Sequence, residues 1–186
     1  MKRILLWFSA LLLLSGVVPR PAEAQKSYAL GIAGGAAMPV GRLTDTQNTG
    51  WNGMIALAIG VPELPIGLRF DGIFNRLPRR DIALPQSGSA ALSNLRINGA
   101  IGNLIYAFSG TSAKPYLIAG AGWYSTKQDL AGAAATNSIG FNVGLGSTFG
   151  IGPLATFIES RYHSISRSAA KGGVIQFVPV TLGLMF

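Results

Sequence analysis

The sequence predicts an all-β fold: an eight-stranded antiparallel up-and-down transmembrane β-barrel, preceded by a cleaved signal peptide. Three observations carry that reading. Apolar residues alternate with small or polar ones in segments of about ten, each closed by turn residues, which is the weak per-segment signature of a membrane strand. The connections between these segments alternate long and short, as a barrel with loops at one rim and tight turns at the other requires. Charged residues make up only 12% of the chain while glycines number 25, a balance that would leave a soluble exported domain poorly solvated.

The chain opens with MKRILLWFSALLLLSGVVPRPAEA, Met1 to Ala24. Lys2 and Arg3 give a positive start, Ile4 to Leu14 is apolar except for Ser9, and Ala22-Glu23-Ala24 is a small-x-small cleavage site. The apolar core is shorter than the roughly 20 residues a membrane helix needs, so residues 1–24 are expected to be a signal peptide removed after Ala24. The mature domain then spans residues 25–186, a length that suits one barrel.

Composition narrows the chemistry. Cysteine is absent and there is one histidine, so neither disulfides nor a metal cluster is expected, and no cofactor either. GIAGGAAMPVG, residues 31–41, lacks the Lys-Ser/Thr pair and the following helix of a phosphate loop, and reads as close backbone packing. The net charge of +8 comes from scattered cations, and export argues against nucleic acid as a partner. Anionic lipid head groups of a membrane, lipopolysaccharide included, suit it better.

The predicted strands are Tyr28 to Met38, Trp51 to Val61, Ile66 to Arg76, Asn94 to Phe108, Tyr116 to Lys127, Ile139 to Phe149, Leu154 to Ser164 and Val174 to Phe186. Residues 39–50, 77–93, 128–138 and 165–173 form the long links, whereas PELP, SGTSAK and GIGP form tight turns. Both ends of the barrel domain then fall at the short-turn rim. In the third strand Ile66, Leu68, Phe70, Gly72 and Phe74 share one face, and Gly67, Arg69, Asp71, Ile73 and Asn75 the other. The fourth is irregular: Leu95, Ile97 and Ile101 have one parity and Leu104, Tyr106 and Phe108 the other, which a β-bulge near Gly102 and Asn103 would reconcile. In the fifth, Leu117, Ala119 and Trp123 are assigned outward, because that puts Gly120 and Gly122 inside. The sixth alternates Phe141, Val143, Leu145 and Phe149 with Asn142, Gly144, Gly146 and Thr148, and the seventh sets Phe157, Glu159, Arg161 and His163 on one face.

A membrane barrel is inverted, with its apolar face outside and polar groups within. Aromatic residues near strand ends fit two interfacial girdles, with Trp51, Phe74 and Tyr162 near the long loops and Tyr116, Phe149 and Phe186 near the short turns. The lumen is expected to hold Arg69, Asp71, Arg96, Glu159, Arg161 and His163 as a polar network, since lipid would tolerate none of these charges unpaired. Asp71 with Arg96 and Glu159 with Arg69 are the expected ion pairs, the second bridging the barrel.

FNVGLGSTFGIGPLATFIESRYH and FVPVTLGLMF resemble the outer membrane protein β-barrel domain family, small porin-like barrels related in architecture to OmpA and OmpX. The resemblance spans Gln25 to Phe186 and implies a bacterial outer-membrane location. It also implies that Val178, Val180, Leu182, Leu184 and Phe186, the apolar alternation of the last strand with its terminal aromatic, are read by the barrel-assembly machinery. The family hosts many activities or none, so function has to come from the site.

One stretch resembles an enzyme. Glu159 and His163 near serines in ESRYHSIS are similar to the lipid A deacylases, eight-stranded barrels with a Ser, His and acidic constellation. A strand needs i and i+2 on one face; position 165 is Ile and Ser164 has the opposite parity, so no nucleophile is expected beside the base. The chain is therefore expected not to be an enzyme, with a lipid-modifying barrel as the alternative. A narrow solute channel is the other alternative, although eight strands leave a lumen that side chains can fill. The expected role is structural or a surface interaction through loops 39–50 and 77–93, with an unidentified extracellular ligand. Pro179 removes one ladder donor from the last strand, and a bulge or a water is expected to accommodate it.

Overall fold

The computed structural model describes residues 28–61, 64–80, 93–151, 154–168 and 173–186. The expected leader, residues 1–24, and most of the long link 77–93 lie outside the described residues.

The alternating segments become eight strands: β1 (Tyr28–Val40), β2 (Gly50–Gly60), β3 (Ile66–Leu77), β4 (Leu95–Ala107), β5 (Ala113–Gln128), β6 (Thr136–Ile151), β7 (Leu154–Ile165) and β8 (Ile175–Met185). Each pairs antiparallel with its neighbour in sequence, and β8 returns to β1 to close the barrel. Closure leaves no free edge. After β1, Gly41 takes a φ of 57° and starts the short 3-10 turn Gly41–Asp45, a conformation a side chain would resist. Among the described residues no helix is long and apolar enough to cross a membrane, and the strands have the length to do so.

Parity sorts the side chains. Leu30, Ile32, Ile55, Phe70, Leu145 and Leu182 stand exposed on the outside, whereas Asn52, Arg69, Asp71, Asn103, Asn142, Glu159 and Arg161 are buried inside. This is the reverse of a water-soluble barrel. Glycine makes room for the large inward groups. A Cβ on Gly144 would stand 2.6 Å from Arg161 Cγ, and one on Gly146 or Gly183 would overlap the ring of Tyr116 or Phe157. Glycine at these points is therefore a packing requirement.

Four expectations are corrected. No residue is inserted in β4: its register with β3 runs unbroken from Ile66↔Tyr106 to Leu77↔Leu95, so there is no bulge at Gly102 and Asn103. Leu95, Ile97 and Ile101 are buried in the interior, and Arg96 points outside. Toward the long-loop rim the two faces of β4 exchange polarity, and that exchange, not a shift of register, accounts for the change of parity along the strand. Tyr116 is not an interfacial aromatic; it is buried in the lumen. Exposed Tyr28, Tyr106, Phe108 and Phe186 mark the short-turn end instead, while Trp51 and Phe74 are exposed at the long-loop end. Pro179 points inward without a bulge. The β7–β8 register stops at Ser160↔Val180 and resumes unchanged at His163↔Phe177, so the ladder skips the rungs beside the missing donor and inserts nothing.

Candidate functional site: the lumenal polar network

Strand β3 delivers Arg69 and Asp71 to the lumen two residues apart, and β7, on the opposite wall, delivers Glu159 and Arg161 in the same way. The four form an alternating ring of charge. Arg69 Nε lies 2.9 Å from Asp71 and its Nη2 2.8 Å from Glu159 Oε1; Arg161 Nη1 lies 2.8 Å from Asp71 Oδ2 and its Nε 2.8 Å from Glu159 Oε1. Each cation touches both anions and the sum is zero. With every member at most 3% exposed, this neutrality is what makes burial tolerable.

Neutral donors complete the shell. Tyr116 donates its hydroxyl to Glu159 Oε2 at 2.7 Å, and Asn103 donates to Asp71 Oδ2 at 2.9 Å while accepting from Asn142 at 2.9 Å. Arg161 Nη2 sits 3.0 Å from Met54 Sδ, and the Arg69 guanidinium lies 5.7 Å from the centre of the Phe157 ring. Further toward the long loops, Thr181 donates to Asn52, which donates to Asn75, which donates to the Ile97 carbonyl. Two hydrogen-bonded sets thus occupy the lumen, the charged ring with its neutral donors, which joins β3 to β7, and the Thr181–Asn52–Asn75 chain nearer the long loops.

His163 stands apart from the charged ring. Its Nδ1 shares a 2.9 Å hydrogen bond with the Tyr124 hydroxyl, and its ring stacks on Phe177 with centroids 4.8 Å apart. The next inward residue of β7 is the buried Ile165. Ser164 belongs to the opposite parity, so the imidazole has a tyrosine and a phenylalanine as neighbours.

Of the expected network, Arg69, Asp71, Glu159, Arg161 and His163 lie inside, and Glu159 meets Arg69 across the barrel. Arg96 is the correction. Its side chain is outside and 53% exposed, and it pairs at 2.6 Å with Asp129 rather than with Asp71. Asn103, Asn142, Tyr116, Tyr124 and Asn52 were missed as partners, although the parity of their strands places each on the lumenal side. The final-strand residues Val178, Val180, Leu182, Leu184 and Phe186 share the outward parity of β8, with Leu182 and Phe186 the most exposed.

The long-loop rim is itself tied together. Gln47 forms a bridge with Arg79 and donates to the Ser93 carbonyl, while Arg80 donates to the Thr44 carbonyl. These bonds join the link after β1 to the link after β3.

No protein-family model matches the chain, and no curated protein sequence does. Solved structures do. Neisserial surface protein A superposes with a TM-score of 0.63 at 19% identity, covering 88% of this chain and 98% of that one. The N-terminal β-barrel domain of Pseudomonas aeruginosa OprF gives 0.51 at 12% identity, covering 86% and 98%. The chain therefore has the OmpA/OmpX-like fold, the closed eight-stranded barrel of outer-membrane proteins.

Proposed function

We propose that this chain is a bacterial outer-membrane barrel, exported by a leader cleaved after Ala24, whose role is structural or a surface interaction at the long-loop rim. The observation that carries this reading is the neutral ring of Arg69, Asp71, Glu159 and Arg161, which occupies the lumen between β3 and β7 and leaves the rim as the place for contact. The apolar exterior supports a membrane location, because lipid is the solvent that such a face requires. The bonds between the links after β1 and β3 support the rim as a held platform rather than two independent tails.

No catalytic role is assigned. A base whose neighbours are Tyr124, Phe177 and Ile165 has no serine on its face, and the hydroxyl it meets is the Tyr124 phenol, which departs from the Ser, His and acidic constellation. The partners are outer-membrane lipid, lipopolysaccharide and, during biogenesis, the assembly machinery that reads Val178 to Phe186; the ligand at the rim is an extracellular one. Membrane fractionation with heat-modifiable gel mobility, followed by single-channel recording in a planar bilayer, tests the proposal. The expected result is a heat-modifiable outer-membrane protein with no conductance steps. Regular steps would overturn the closed lumen, and recovery from the soluble periplasm would overturn the location.

A further inference from the structure

The register of β3, β4 and β5 sets three cations in one row on the outside of the barrel. Arg76 pairs with Arg96 across β3–β4, and Arg96 with Lys127 across β4–β5. All three have the outward parity of their strands, and Trp51 of β2 extends the row as the rung partner of Arg76. One anion answers them: Asp129 lies 2.8 Å from Arg76 and 2.6 Å from Arg96. Lys127 is exposed and makes no ion pair among the described residues. The row therefore keeps a surplus of two positive charges, and the side chains of Arg76 and Arg96 stay 43% and 53% exposed.

Below this row an apolar groove of about 740 Å³ opens on the outside of β1 to β5. Its floor is made of small residues, Gly72, Ala100, Gly102 and Ala121, and its flanks of Ile55, Phe70 and Trp123. Gly72 and Ala100 are four residues along their strands from Arg76 and Arg96, roughly 13 Å at about 3.3 Å per residue. Cations at the rim over an apolar groove are the two halves of an amphiphile's site.

We propose that this face binds a phosphorylated acyl lipid of the outer leaflet, with its phosphate on Arg76, Arg96 and Lys127 and an acyl chain in the Gly72–Ala100–Gly102–Ala121 groove. Charge complementarity selects the occupant. A phosphate monoester carries about −1.5 to −2 at neutral pH and matches the surplus of two, whereas a second copy of this face would bring like charge to like. The inference rests on the outer-membrane reading, with the long loops outward.

The test is native mass spectrometry of the detergent-solubilised full barrel, titrated with bis-phosphorylated lipid A, with the same lipid after phosphate removal, and with inorganic phosphate as competitor. R96A/K127A should bind the phosphorylated lipid about tenfold more weakly than the parent and R96K close to it. A121F, which fills the groove, should weaken binding with the cations intact. Heat-modifiable mobility verifies that each variant folds. Equal affinity of parent and R96A/K127A, equal binding of the dephosphorylated lipid, or displacement by millimolar inorganic phosphate would each overturn the site. Fractionation reports separately on location: failure of these titrations for a protein that fractionates with the outer membrane sinks only the lipid site, and lipid selectivity in a chain found elsewhere sinks only the location.

Discussion

Replacing Glu159 by Gln removes one of two anions from a ring in which every charge is buried. Glu159 Oε1 lies 2.8 Å from both Arg69 Nη2 and Arg161 Nε, so the substitution weakens two ion pairs and leaves the ring with a net positive charge. Breaking a buried pair by losing one partner costs about 3 to 5 kcal/mol, because the desolvation of the remaining charge persists. Asp71 still touches both arginines, and the Gln carbonyl can still accept from one of them, so the lower end, about 3 kcal/mol, is expected. The double variant E159M/R161M behaves differently. It removes one charge of each sign and leaves Arg69 paired with Asp71, so it should lie within about 1 kcal/mol of the parent, since hydrophobic replacement of a buried pair is often neutral. The coupling between the two sites should then exceed about 2 kcal/mol. Urea unfolding of the barrel refolded in vesicles is a suitable assay, followed by the fluorescence of Trp51 and Trp123, which face outward. A loss below about 0.5 kcal/mol for E159Q, or a double variant worse than the single, would refute neutrality as the organising principle of the lumen.

The packing reading predicts that Gly146→Leu, which drives a side chain into the ring of Tyr116, costs at least about 1 to 3 kcal/mol. Gly150→Ala, with open space around its Cβ, should stay within about 0.5 kcal/mol in the same unfolding assay, and equal costs would contradict the packing role. Phe186 is 60% exposed, while its backbone exchanges two hydrogen bonds with Leu30. Ending the chain at Met185 should slow assembly in cells more than it lowers the stability of refolded barrel; matching losses in pulse-chase assembly and urea unfolding would refute that division. His163→Ala should leave lipid A unchanged in mass spectra of cells carrying either version. A difference in acyl-chain number between them would restore the enzyme reading.

Much of the barrel is legible in period-two alternation, because each strand shows one face to the outside and one to a crowded interior. Parity puts Arg69 with Asp71 and Glu159 with Arg161 on shared faces, and the intolerance of lipid for unpaired charge at mid-strand then turns those faces inward, whereas Arg76 at the loop end of β3 stands outside. Which charge meets which is a different matter. Arg96 was matched to Asp71 on the ground that β3 and β4 are adjacent, yet adjacency fixes neither height nor side, and its partner Asp129 lies just beyond the end of β5. Tyr116 was misread because a tyrosine near a strand end suits an interface as well as a lumen. What separated the two is the hydrogen bond to Glu159, a contact between strands distant in sequence.

The polarity exchange along β4 links the two candidate sites physically. Lipid imposes an apolar exterior only over the hydrocarbon thickness; beyond it, head groups and water permit charge outside. Leu95 and Ile97 can then turn inward, where with Leu77, Ile165, Ile175 and Phe177 they form an apolar layer between the polar network and the rim. That layer keeps water from the ring of Arg69, Asp71, Glu159 and Arg161, and water exclusion gives each of those ion pairs its strength. The same inward turn sends Arg96 outward to stand beside Arg76 and Lys127. A single register, continued without a bulge, therefore seals the lumen and lays out the cation row, and a residue inserted near Gly102 would undo both at once.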